Sequence, residues 1–129
     1  MPPADETGTV GLLLSDDLIF TSRILGTGRD LGFPIQAARS ADALLALARR
    51  QTPRCVIIDL ANPGLTIGDF VRGLREACSP MPFVLAYGSH VDTATLRTAR
   101  EAGCDLVWPR SKFVEELPHL RDWTHHPPS

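Results

Sequence analysis

Three aspartates carry the strongest chemical signal in this 129-residue sequence. Asp59 closes the apolar run Cys55-Val56-Ile57-Ile58, and a turn with Pro63-Gly64 follows it. Asp16 and Asp17 follow a second apolar run, Val10-Gly11-Leu12-Leu13-Leu14, after the single residue Ser15. A short continuous apolar run suits a strand buried on both faces, as in a parallel sheet. A carboxylate at the tip of such a strand lies at the carboxyl edge of the sheet, where open α/β folds place their ligands. If the two strands are parallel neighbours, three carboxylates meet at one edge. That cluster is the part of the chain able to do chemistry.

The remaining residues read as the elements that position this edge. Thr9 to Leu14 forms a first strand, and a helix begins near Leu18, with Phe20, Ile24 and Leu31 at helical spacing. Gly26 and Gly28 weaken that helix by up to about 1 kcal/mol each relative to alanine. They sit inside a helix rather than in the turn after a strand, so they do not form a dinucleotide fingerprint. Ile35-Gln36-Ala37-Ala38 is a short second strand. Ser40 caps a helix whose stripe is Ala41, Leu44, Leu45 and Ala48. The strand ending at Asp59 comes third. Thr66 and Asp69 resemble a cap pair before a third helix, whose face holds Phe70, Val71, Leu74 and Cys78. Phe83 to Tyr87 is a fourth strand. Asp92 caps a fourth helix with Leu96, Ala99 and Gly103 inward. Asp105 to Trp108 is a fifth strand. Ser111 caps a last helix reaching Trp123, which Pro118 shortens or kinks.

Five strands alternating with five helices make an α/β, doubly wound, flavodoxin-like sheet. Its expected strand order is 2-1-3-4-5, with the switch point between strands 1 and 3. Those strands carry the aspartates, so topology and chemistry converge on one crevice. The expected organisation is a leader over 1–8, one domain over 9–123 and a tail over 124–129.

Composition narrows the function classes. Hydrophobic residues make up 43% of the chain, ordinary for a globular domain. A net charge of −2 and the lack of a basic helix-turn-helix argue against nucleic acid as a partner. No apolar run approaches the roughly 18 residues that span a bilayer, and the polar N-terminus is not a signal peptide. Three cysteines, an odd count without a CxxC pair, argue against a disulfide framework or a zinc site, and a reducing cytoplasm is the natural compartment. Lys112 is the single lysine among 13 basic residues.

Together these motifs resemble the receiver domains of two-component response regulators, over roughly Thr9 to Trp123. Leu14-Ser15-Asp16-Asp17 looks like the acidic pair ending strand 1 of that family. Val56-Ile57-Ile58-Asp59, with Pro63 four residues on, looks like its phospho-acceptor strand and turn. Ala102-Gly103-Cys104-Asp105 looks like the small-residue turn before strand 5. The resemblance implies that Asp59 accepts a phosphoryl group from a histidine kinase or phosphotransfer protein. It implies Mg²⁺ held by Asp17, Asp59 and the backbone carbonyl of Ala61, with Asp16 assisting through water. It also implies a signalling domain rather than an enzyme, acting as a monomer or weak homodimer on another protein target. No effector segment is expected after residue 123, so output runs through protein contacts.

Two positions depart from the family pattern. Tyr87 stands where the family has a mobile Ser or Thr at the end of strand 4. Arg110-Ser111 stands where it has Lys-Pro, and arginine and lysine are not interchangeable at a phosphate site. Intact aspartates favour a phosphorylated receiver. Tyr87 and Arg110-Ser111 favour a pseudo-receiver, a binding module that works without phosphorylation. A magnesium phosphohydrolase resembling the haloacid-dehalogenase family would want an aspartate at position 61, which is Ala.

Overall fold

Side chains alternate across a β-strand, so a strand apolar at every position must be covered on both faces. The computed structural model describes residues 11–125 and shows that arrangement. Strands β1 (Gly11–Leu14), β2 (Ile35–Ala38), β3 (Cys55–Asp59), β4 (Phe83–Gly88) and β5 (Leu106–Pro109) form one parallel sheet. Their order is β2-β1-β3-β4-β5, the expected one.

On one face, Leu12, Leu14, Val56, Ile58, Val84 and Ala86 share a core with three helices. These are α2 (Ala41–Gln51), α3 (Ile67–Ala77) and α4 (Thr93–Ala102). On the other face, Leu13, Ile57, Leu85 and Tyr87 pack with Phe20, Ile24, Phe113, Leu120 and Trp123. Those residues come from α1 (Leu18–Asp30), α5 (Arg110–Glu116) and α6 (Leu120–His125). Full burial of one such side chain stabilises the fold by about 1.5–3 kcal/mol.

Local chemistry explains most helix boundaries and corrects some expectations. Ser40 and Asp92 cap α2 and α4 by accepting the amides of Ala43 and Thr95. The bonds from the Thr95 side chain, then from its amide, hold the Asp92 carboxyl below its usual range. Thr66 makes no side-chain cap, and Asp69 pairs with Arg72 at 2.8 Å instead. Ser111 lies inside α5 rather than at its start, which follows Pro109 without a side-chain cap. Gly103 is not on the inner face of α4. It is the left-handed cap of that helix, at φ 104°, a conformation that favours glycine.

Strand β5 begins one residue later than expected: Asp105 meets Val84 by accepting its amide on the carboxylate at 2.7 Å while donating its own amide to the Val84 carbonyl at 2.8 Å. Gly28 trades helix propensity for close packing: a Cβ there would stand 2.6 Å from the Phe33 carbonyl oxygen. As expected, Pro118 breaks the last helical segment, and a 3₁₀ turn (Leu117–His119) separates α5 from α6. Trp123 packs inward against Trp108, with ring centroids 5.4 Å apart. The leader expected over 1–8 lies outside the described residues, as does most of the expected tail, although α6 itself runs to His125. No described helix is long and apolar enough to cross a membrane.

Ser40→Ala is expected to lower stability by about 1 kcal/mol through loss of the α2 cap. Urea denaturation followed by circular dichroism measures this. An unchanged midpoint would remove the cap from the list of stabilising features.

Candidate functional site

The site is built by register. Leu14, the last residue of β1, pairs with Ile58, so the residue level with Asp59 is Ser15, just past the end of that strand. Asp59 in turn pairs with Tyr87 of β4. Alternation aims Leu13, Ile57 and Leu85 toward α1 and α5, and Ser15, Asp59 and Tyr87 follow them on that face. The three form a row across the carboxyl edge of β1, β3 and β4.

Asp59 is only 2% exposed and both of its oxygens are engaged. The Ser15 hydroxyl donates to Oδ2 at 2.8 Å, and the Ala61 amide donates to Oδ1 at 2.9 Å. The Ser15 oxygen also accepts the Asp17 amide at 3.1 Å. The Asp17 carboxylate accepts the Phe20 amide at 3.0 Å, which makes it the cap of α1. Asp16 is exposed. The three aspartates therefore share an edge but not a cluster. Strand β1 ends at Leu14 with Ser15 next, so a serine meets Asp59 and the acids fall in the turn and the helix cap. Among the described residues, no group of three acidic, histidine or cysteine side chains could hold a metal ion.

Tyr87 is fully buried. Its ring stacks on Phe113 with centroids 4.5 Å apart and meets Phe20 in a T-shaped arrangement at 5.4 Å. Its hydroxyl has no hydrogen-bond partner of good geometry among the described residues. Burial first, and the Asp59 charge second, push the phenol up from its ordinary value. The nearby Ser15 hydroxyl and the Arg110 charge act the other way, although the Ser15 proton itself goes to Asp59.

Arg110 opens α5. Its guanidinium lies 4.8 Å from the centroid of Phe20 and 5.7 Å from that of Tyr87. It is also 3.8 Å from Asp17 Oδ2. Both side chains of this pair are about two-fifths exposed (45% and 39%), so the ion pair contributes at most about 1 kcal/mol. Arg110 thus covers the aromatic cluster and the α1 cap, and no ion pair joins it to Asp59 among the described residues. A cleft of about 350 Å³ opens beside it, lined by Ala61, Gly88, Ser89, His90, Arg110 and Ser111. A larger cavity of about 650 Å³ lies at the opposite end of the strands, around Pro53, Arg54, Pro82 and Phe83.

Mg²⁺ demands near-octahedral hard oxygens and retains several waters. Here Asp59 is buried with both oxygens already accepting, and Asp17 is committed to a helix cap and to Arg110. These donors do not fit a hydrated magnesium ion as they are arranged.

Ser15, and Phe20 and Phe113 as the aromatic partners of Tyr87, are site residues beyond those expected from the sequence. The signal for Ser15 was present. Aligning the ends of the two apolar runs, Leu14 with Ile58, sets Ser15 rather than Asp16 level with Asp59. The aromatic partners had no such signal, because Phe113 joins the row only through packing of α5.

A five-stranded parallel sheet of this order, flanked by helices on both faces with an aspartate at the end of β3, is the response-regulator receiver fold. The receiver domain of NtrX from Brucella abortus superposes with a TM-score of 0.75 at 20% identity, over 88% of this chain and 96% of that one. The receiver domain of sensor histidine kinase PA1611 from Pseudomonas aeruginosa PAO1 superposes with a TM-score of 0.70 at 19% identity, over 89% and 96%. That domain is described with a magnesium ion coordinated in its active-site cleft. In sequence, the chain is 31% identical over 98 residues to the transcriptional activator protein ExaE from Pseudomonas putida. The match covers 73% of this chain but only 45% of that protein. No protein-family model matches the chain.

Proposed function

We propose that residues 9–123 act as a receiver-like signalling domain that transmits through protein–protein contacts without phosphoryl transfer. The observation that carries this reading is Tyr87. Where a small hydroxyl side chain would have to move, a fully buried ring is stacked on Phe113. A fully buried ring packed against both Phe113 and Phe20 has no small inward shift available. Arg110 supports the same reading, since it lies over Phe20 and Tyr87 rather than against Asp59. The partner is another protein. Leu18, Ile19 and Val91 are large apolar side chains exposed in the segments that follow β1 and β4, the first two in the opening turn of α1. Likeness to a transcriptional activator is in keeping with a regulatory role.

A second reading has Asp59 accept a phosphoryl group from a histidine kinase or phosphotransfer protein, with Mg²⁺. The placement of Asp59 at the tip of β3, beside the switch point of the sheet, favours it. One experiment separates the two. Backbone amide spectra are recorded with Mg²⁺ and beryllofluoride for wild type and Asp59→Asn. The proposal expects no specific change in either protein. A response that needs Mg²⁺ and is lost in Asp59→Asn would establish the phosphorylated reading and overturn the first.

A further inference from the structure

We infer that Ser15 makes this crevice independent of a divalent cation, because its hydroxyl holds the carboxylate that a metal would need. The inference deepens the phosphorylation-independent reading and rests on it. Asp59 is enclosed from three sides. Ser15 of the β1 tip donates to one oxygen, the Ala61 amide of the following turn donates to the other, and Tyr87 of β4 stands level with it. Short bonds to an ionised carboxylate are charge-assisted and stronger than neutral ones. They do within the protein what a cation would do from solvent.

The bond to Asp59 also belongs to a continuous chain. The Phe20 amide donates to Asp17, the Asp17 amide donates to Ser15, and Ser15 donates to Asp59, which also holds the Ala61 amide. Every member is a backbone amide or a short side chain, so the start of α1 and the β3–α3 turn are tied through one oxygen of Ser15. A metal drawn to Asp59 Oδ2 would compete with that hydroxyl for the oxygen and, by weakening its bond, disturb the α1 cap. A carboxylate at position 15 would reverse the balance. Two acids would then face each other at the tips of β1 and β3, and like charges at that distance call for a cation between them.

The test uses the metal alone, without phosphodonor or partner. Mg²⁺ is titrated by calorimetry and by amide spectra into wild type, Asp59→Asn and Ser15→Asp. Wild type is expected to show no saturable binding at millimolar Mg²⁺ and no shifts at Asp59 to Asn62 beyond those of Asp59→Asn. Ser15→Asp is expected to gain saturable binding, tighter than any wild-type association by about 10-fold or more. Saturable wild-type binding that is lost in Asp59→Asn would overturn the inference, and so would a folded Ser15→Asp that gains nothing. If circular dichroism shows Ser15→Asp to be unfolded, the comparison of wild type with Asp59→Asn decides alone. Wild-type Mg²⁺ binding without a beryllofluoride response would sink the role of Ser15 and leave the protein-contact reading standing.

Discussion

Tyr87→Ala is expected to lower the unfolding free energy by about 3–5 kcal/mol, the range for large aromatic truncations in a core. Tyr87 has no exposed surface, and it forms a three-ring cluster, stacked on Phe113 and edge-to-face with Phe20, which also meet each other. Truncation leaves a cavity at the centre of the α1–α5 face, and aromatic pairs contribute beyond their buried area. Domains of this size are stable by about 5–15 kcal/mol, so the loss is a large share of the total. Tyr87→Phe separates the ring from its hydroxyl. That hydroxyl is buried with no partner of good geometry among the described residues, so its removal is expected to be neutral or to stabilise by up to about 1 kcal/mol. Urea denaturation followed by tryptophan fluorescence reads both variants. A Tyr87→Ala loss below about 1 kcal/mol would mean that the ring is not held as described.

The second large effect concerns the Ser15–Asp59 bond. Ser15→Ala removes a donor from a carboxylate that is 2% exposed. Hydrogen bonds to charged groups are worth about 1.5–3 kcal/mol, and that is the expected loss. In an Asp59→Ala background the same serine change is expected to cost little, because no buried carboxylate is then left short of a donor. The double-mutant cycle isolates the pair. A coupling energy near zero would show that the Ser15 hydroxyl does not hold Asp59 in solution.

Both predictions turn on contacts that are unequally visible in the sequence. The parallel sheet and its order were legible, because runs such as Cys55-Val56-Ile57-Ile58 can be buried only between two helical layers. The caps at Ser40 and Asp92 were legible for a local reason: each side chain bonds an amide three residues on. Thr66 fits the same local pattern, yet its side chain makes no cap bond. Gly103 could stand on a helix face or end the helix, and spacing alone does not separate those roles.

The aspartates divide along the same line. That Asp59 closes a central strand, and that Asp16 and Asp17 lie at the same sheet edge, follows from the order of residues along the chain. Whether they form one cluster depends on strand register, and a shift of a single residue exchanges a carboxylate for the Ser15 hydroxyl. Arg110 shows the point from the other side. Its place after β5 follows from the sequence, but its position over Phe20 and Tyr87, without an ion pair to Asp59 among the described residues, depends on how α1 and α5 pack. Sequence by itself determined the fold and the edge at which the polar groups gather, because burial patterns and strand ends are local properties. The tertiary structure decided which of those groups touch, although the aligned ends of the two apolar runs already point to Ser15 beside Asp59. Contacts across strands and helices depend on register and packing, and neither is written in any one segment.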